Sequence, residues 1–169
     1  MPIALFIGRF QPLHIGHEML IDNALKQVDK LYIFISADKK EDDLFSVMTR
    51  FSFIYNLYDN LIDNKIFLYT INDIGLKDPK LWYIYVLGKL SNFVNINDNK
   101  IIFFLGNDIS YFDDNIMDMQ YVDIEKVIME RQNNISGTYI RKMIKEKRFK
   151  EIENLVNHTV YKYITNRFF

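Results

Sequence analysis

Five short apolar runs, rich in β-branched and aromatic residues, punctuate the chain at residues 3–7, 31–35, 66–71, 101–105 and, with polar interruptions, 124–129. Each has the length of a strand covered on both faces, where polar and apolar positions need not alternate. Between these runs the pattern switches to a helical period. His17, Leu20, Ile21, Ala24, Leu25 and Val28 recur at spacings of three and four and line one side of a helix. Thr49 is expected to cap a helix carrying Ile54, Leu57, Tyr58 and Leu61. Asp78 before Pro79 reads as an N-cap with proline at the first helical position, ahead of an apolar face of Trp82, Tyr85, Val86 and Leu90. Two more helices are expected, one through Ile140, Met143 and Ile144, the other starting near Asn157 and carrying Val160, Tyr161 and Ile164.

Regular alternation of strand and helix predicts an α/β fold, a five-stranded parallel sheet with helices on both faces and C-terminal helices to finish. Ligands of such sheets sit beyond the carboxyl ends of the strands, where the strand order reverses. That rule singles out the loops after Ile7, Ile35 and Leu105. The segment 37–47, with its DKKEDD cluster, reads as a mobile, linker-like loop.

A length of 169 residues predicts one domain over 1–169, and 49% hydrophobic residues, 15% of all residues being aromatic, exclude disorder for most of it. Lys and Arg number 21 against 22 Asp and Glu, a net charge of −1. The global positive field used by non-specific nucleic-acid binders is therefore missing, no nucleic-acid partner is expected, and anions must be bound locally. The chain has no cysteine, which excludes a disulfide framework, a Cys-based zinc site and a thiol nucleophile and suits a reducing compartment. The opening MPIALFIGRF has no basic leader, and no run of 18 apolar residues follows. A cytoplasmic protein with no membrane partner is expected. The aromatic tail, YKYITNRFF, could dock on a second copy through Phe168 and Phe169 or fold into its own core.

The densest chemistry lies in GRFQPLHIGH, residues 8–17, at the end of the first strand and the start of the first helix. Gly8 allows a sharp turn and a close ligand, Pro12 stiffens the loop, and Gly16 permits close contact at a helix start whose N–H groups attract phosphate. His14 and His17, three apart, can both donate to one bound anion. A P-loop is excluded, because the one Gly-Lys pair, Gly88 and Lys89, is followed by Leu90 and preceded by Tyr83 where the first glycine belongs. A zinc site on the histidine pair lacks a third ligand, since the remaining histidine is His158 in the terminal helix. A second stretch, ISGTYIR at residues 135–141, opens a late helix. Ser136 or Thr138 can cap it, and Arg141 one turn on can hold the same anion with a fork of donors. Arg141 also begins a basic segment with Lys142, Lys145, Lys147, Arg148 and Lys150, a source of local steering for a polyanion or simply a solvated face.

These motifs resemble the nucleotidylyltransferases with an HxGH signature, a family related in fold to class I aminoacyl-tRNA synthetases. The longer form GRFQPxHxGH is similar to that of the nicotinamide mononucleotide (NMN) adenylyltransferases of archaeal type and their bacterial relatives, with Arg9 and Gln11 marking the distinction. The resemblance covers most of the chain and implies a Rossmann-like domain that transfers AMP from ATP to NMN, giving NAD and pyrophosphate, with Mg²⁺ accompanying ATP. It implies catalytic roles for His14, His17 and Arg141. Nucleotide contacts are implied for Gly8, Arg9, Phe10, Gln11 and Gly16, and for Ser136 and Thr138 at the β and γ phosphates. Gly137 departs from the Ser or Ala common at its place.

Asp73 with Ile74, then Trp82, is similar to the pattern that frames the nicotinamide half, although extra residues separate them here. Trp82 equally fits a core position on its helix. Arg50 resembles an arginine that serves a substrate phosphate, and equally suits an exposed helix start. Gly106, Asn107 and Asp108 resemble a Gly-Asn pair that approaches adenosine, and would also make a simple turn. The competing expectations are the same transfer to nicotinate mononucleotide, pantetheine phosphate or a flavin precursor, a nucleotide sensor without catalysis, and an RNA-binding synthetase remnant. KMIKEK after Arg141 is not the synthetase KMSKS.

Overall fold

The computed structural model describes residues 2–106, 122–129 and 135–169. Strand β1 (Ile3–Gly8) leads into helix α1 (Ile15–Leu25), β2 (Lys30–Ser36) into α2 (Val47–Leu57), and β3 (Ile66–Ile71) into α3 (Pro79–Leu90). Then come β4 (Ile101–Gly106), β5 (Ile124–Met129), α4 (Gly137–Lys145) and α5 (His158–Phe168). All five strands are parallel, in the order β3-β2-β1-β4-β5. The chain steps outward from β1 to β3 and returns to place β4 on the other side of β1. The order therefore reverses between β1 and β4, and the crevice beyond Gly8 is the switch point.

The pleat sends alternate residues to opposite faces. Ala4 and Phe6 of β1, Ile33 and Ile35 of β2 and Phe104 of β4 face a layer built from α1, α2, α4 and α5. Ile3 and Leu5, Tyr32 and Phe34, and Phe103 face α3 on the other side. Continuous apolar strands suit a sheet covered in this way. No helix among the described residues is long and apolar enough to cross a membrane.

Three expectations are corrected, and one left open is settled. Ser46, not Thr49, caps α2: its hydroxyl accepts from Thr49 N at 3.1 Å, and the two hydroxyls lie 2.9 Å apart. Asp78 does cap α3, but the buried face is Tyr83, Val86, Leu87 and Leu90, one position round from the one expected. Trp82 and Tyr85 are half-buried, and Leu81 and Ile84 are exposed. A helix apolar on nearly every side gives the periodicity no face to choose. Segment 37–47 is not a free linker, because Phe45 is buried and packs edge-on against Phe53 and Phe168. The tail divides: Phe168 closes that aromatic cluster, whereas Phe169 is 92% exposed.

Ile33, in the middle of β2 and fully buried, is expected to lose about 2–5 kcal/mol on Ile33→Ala. Urea unfolding should show a lower midpoint with an unchanged slope.

Candidate active site

Among the described residues, four polar or charged ones are buried: Gln11, His14, Arg50 and Arg141. Polar groups buried without partners are costly, so their concentration around one loop marks where the fold has been shaped for something other than packing. That loop leaves β1 at Gly8. Phe10 adopts a left-handed backbone with φ 51, a conformation that costs a non-glycine residue about 1–2 kcal/mol. Its ring is fully buried, edge-on to Phe6 at 5.2 Å and tilted against His17 at 4.8 Å. Phe10 is thus a floor under His17. Gly8 keeps space for it, since a Cβ there would lie 3.0 Å from the ring.

His14 is the N-cap of α1, with an extended backbone and Nδ1 accepting from His17 N at 3.3 Å. An imidazole that accepts at Nδ1 carries its proton on Nε2, so a neutral His14 presents Nε2–H as a donor. The His17 ring stacks on it with centroids 3.7 Å apart. Gly16 admits this arrangement, since a Cβ there would press on the His14 ring at 3.1 Å. The expected row of amide donors at the start of α1 is narrower than the sequence suggested. Ile15 N donates to Leu155 O at 3.0 Å and His17 N to His14, leaving Gly16 N of the first three.

Helix α4 delivers the second motif to the same place. Ser136 is its cap, the hydroxyl accepting from Tyr139 N at 3.1 Å, while Thr138 is exposed. Arg141 is turned inward: Nη1 donates to the Gln11 carbonyl at 2.8 Å and Nη2 to Thr138 Oγ1 at 3.2 Å. Gly137 makes this approach possible, because a Cβ there would stand 2.9 Å from the Gln11 carbonyl oxygen and 3.1 Å from Arg141 Nη1.

Sequence reasoning missed Asp42 and Asp43. Asp42 bridges Arg9, at 2.8 Å, and Arg141. Asp43 pairs with Arg9 and accepts from Lys40 N at 2.9 Å. The guanidinium of Arg9, and after it that of Arg141, hold the Asp42 carboxyl down to about 2. Gln11 positions this loop. Its amide oxygen accepts from Leu44 N and Phe45 N at 3.3 and 3.1 Å, and its nitrogen donates to Phe45 O at 2.6 Å. Arg50 is buried rather than exposed, and Nη1 donates to the carbonyls of Arg9 and Ser36 at 2.7 and 2.6 Å. It splices the ends of β1 and β2. The one signal available beforehand was the acidic pair standing directly before the apolar pair Leu44 and Phe45, an anchor for the acids beside it.

Other expected residues lie further along the same end of the sheet. Asp73 follows edge strand β3 and is exposed; its backbone N donates to Asp38, and its carboxylate accepts from Gly75 N at 2.9 Å. Trp82 packs edge-on to Tyr83 on α3. The structure does not bring these two into the cluster around the histidines. Gly106 ends β4 at the switch point, and Asn107 and Asp108 lie outside the described residues. Among the described residues, no three His, Asp or Glu side chains converge as a metal centre would require.

A family model described as Cytidylyltransferase-like matches residues 5–143. A nicotinamide-nucleotide adenylyltransferase of Archaeoglobus fulgidus is 28% identical over 152 residues, 85% of this chain and 80% of that protein. A probable nicotinate-nucleotide adenylyltransferase of Fusobacterium nucleatum is 29% identical, covering 99% of both chains. The fold is also similar to that of a bifunctional NMN adenylyltransferase/ADP-ribose pyrophosphatase of Francisella tularensis solved with AMP and a manganese ion. The TM-score is 0.73 at 20% identity, with 98% of this chain aligned and 48% of that one, so this chain spans about half its length.

Gly137→Ala is expected to force α4 off the loop and to destabilise by about 1–3 kcal/mol, the range for overpacking a tight contact. Gly88→Ala, on a helix surface where an added Cβ meets nothing within 4 Å, is the control that should not destabilise in the same urea titration.

Proposed function

This chain belongs to the cytidylyltransferase-like family, and from that membership we propose that its single domain, residues 1–169, transfers AMP from ATP to NMN, releasing pyrophosphate and forming NAD. The observation that carries the reading is the convergence of the two motifs: Arg141, from a helix late in the chain, lies against the backbone of the loop that bears His14 and His17. That loop sits at the switch point of a parallel sheet, where this architecture binds its ligands.

The chemistry asks for alignment and charge stabilisation. The 5′-phosphate of the acceptor is already an anionic nucleophile at neutral pH, so its oxygen attacks the α-phosphorus of ATP, the bond to the β-phosphate oxygen breaks, and pyrophosphate leaves. No general base and no covalent enzyme intermediate enter this scheme. His14, through Nε2–H, and His17 donate to the α-phosphate oxygens as charge builds there. Arg141, Arg9 and the capped start of α4 at Ser136 hold the departing pyrophosphate. Mg²⁺ would accompany ATP as part of the substrate and would offset charge on its phosphates. In this reading Gln11 and Arg50 position the loops, and Phe10 seats His17. Trp82 and Asp73 belong to an outer acceptor region.

One second reading is favoured by a specific observation. The Fusobacterium relative, similar along its whole length, bears the name of a nicotinate-nucleotide enzyme, and the same machinery would serve that acceptor, since the two differ only at the amide or acid of the ring.

The test is an assay of the purified protein with ATP, Mg²⁺ and each acceptor in turn, reading pyrophosphate and dinucleotide. NMN is expected to give NAD, while pantetheine phosphate gives no product. His17→Ala should lower turnover at least about a hundredfold with the urea midpoint nearly unchanged, the magnitude for losing one transition-state donor. Near-normal turnover in that variant would overturn the mechanism.

A further inference from the structure

The cluster of charges around Arg141 contains one more partner than a phosphate site requires. Arg9 and Arg141 bring two positive charges to the mouth of β1, and Asp42 and Asp43 bring two negative ones, so the group is neutral as it stands. Arg141 has five N–H groups, of which one reaches the Gln11 carbonyl, one Thr138 and one Asp42. Its side chain is 7% exposed with that carboxylate in place. The two acids differ. The Asp43 side chain is 6% exposed and also accepts from the Lys40 backbone, an arrangement that builds the loop. The Asp42 side chain is 43% exposed, so it can leave its guanidiniums for water at little desolvation cost. On its C-terminal side the loop is fastened by Gln11 to Leu44 and Phe45, which confines movement to the residues before them.

We propose that the carboxylate of Asp42 is an internal stand-in for phosphate, bridging Arg9 and Arg141 until the polyphosphate of an incoming nucleotide displaces it. The inference rests on the reading that these arginines receive phosphate. A carboxylate and a polyphosphate cannot occupy one pair of guanidiniums together, because both are anions seeking the same donors. Binding is therefore coupled to release of the loop around residue 42. The strap gives the buried Arg141 guanidinium a counter-charge when no ligand is present, while its buried Nε still has no hydrogen-bond partner, and it sets a threshold that weak anions do not pass. If the bridged state outweighs the open one by three- to tenfold, the apparent affinity for polyphosphate falls by about the same factor.

The test uses inorganic tripolyphosphate, which carries the charge without the adenosine, titrated by calorimetry into the full-length protein and its variants at one pH and ionic strength. Asp42→Asn is expected to bind about three- to tenfold more tightly than wild type. Glu41→Gln removes the same charge from a neighbouring exposed position and is expected to change affinity less than twofold. Amide hydrogen exchange in residues 38–43 of the wild type is expected to speed up when tripolyphosphate is added, and in Asp42→Asn to be fast from the outset. Equal or weaker binding by Asp42→Asn, or an equal gain in Glu41→Gln, overturns the strap. If NAD is still made in that case, the adenylyl-transfer reading stands without it. No tripolyphosphate binding to either protein together with no dinucleotide synthesis overturns both.

Discussion

One buried hydrogen bond joins the two ends of this molecule. Arg141 donates to the carbonyl of Gln11, a residue 130 positions earlier, and a charge-assisted bond of this kind contributes about 1.5–3 kcal/mol. Its larger effect is on what surrounds it. A guanidinium this deep needs further acceptors, and Thr138 and Asp42 supply them. Asp42 in turn must be carried to the site by a loop, and the side chain of Gln11 clasps that loop at Leu44 and Phe45. The backbone that offers its carbonyl to Arg141 is thus also the backbone whose side chain fixes the acid. Arg50, tying the carbonyls of Arg9 and Ser36, keeps the ends of β1 and β2 together beneath it.

Most of the fold was legible because parallel strands leave an unmistakable trace. The runs at residues 3–7, 31–35 and 101–105 are apolar throughout since helices cover both faces, and the structure extends each by only a residue or two. What the sequence obscured depends on contacts made at a distance. Ser46 and Thr49 are both capping residues, and local chemistry does not rank two hydroxyls that bond to one another. The face of α3 was misjudged because nearly all its positions are apolar. The acids of DKKEDD look solvated in isolation; their partners arrive from Arg9, 33 residues away, and from Arg141, 99 residues away. Arg50 read equally as an arginine for a substrate phosphate or as an exposed helix start, and neither reading shows its burial, because the carbonyls it serves belong to other segments.

The proposed anion cradle would differ in construction from one made of a glycine-rich turn. At the start of α1 one amide is spent on Leu155 and another on the His14 cap. In the proposed reading, side chains therefore supply most of the donors, namely the imidazoles of His14 and His17 and the guanidiniums of Arg9 and Arg141. Side chains need support that amides do not. The support is visible in the strained backbone of Phe10, whose ring fills the space under His17, and in the stacking of the two imidazoles.

The contact at Gly137 has a bearing on how such a protein can change. A Cβ on this residue would stand 2.9 Å from the carbonyl oxygen of Gln11, so the late motif is fitted to the early one with less than a methyl group to spare. Neither motif is an interchangeable cassette. Any side chain brought in at this point would need a compensating shift of the loop at residue 11, so the two stretches are sterically tied to one another.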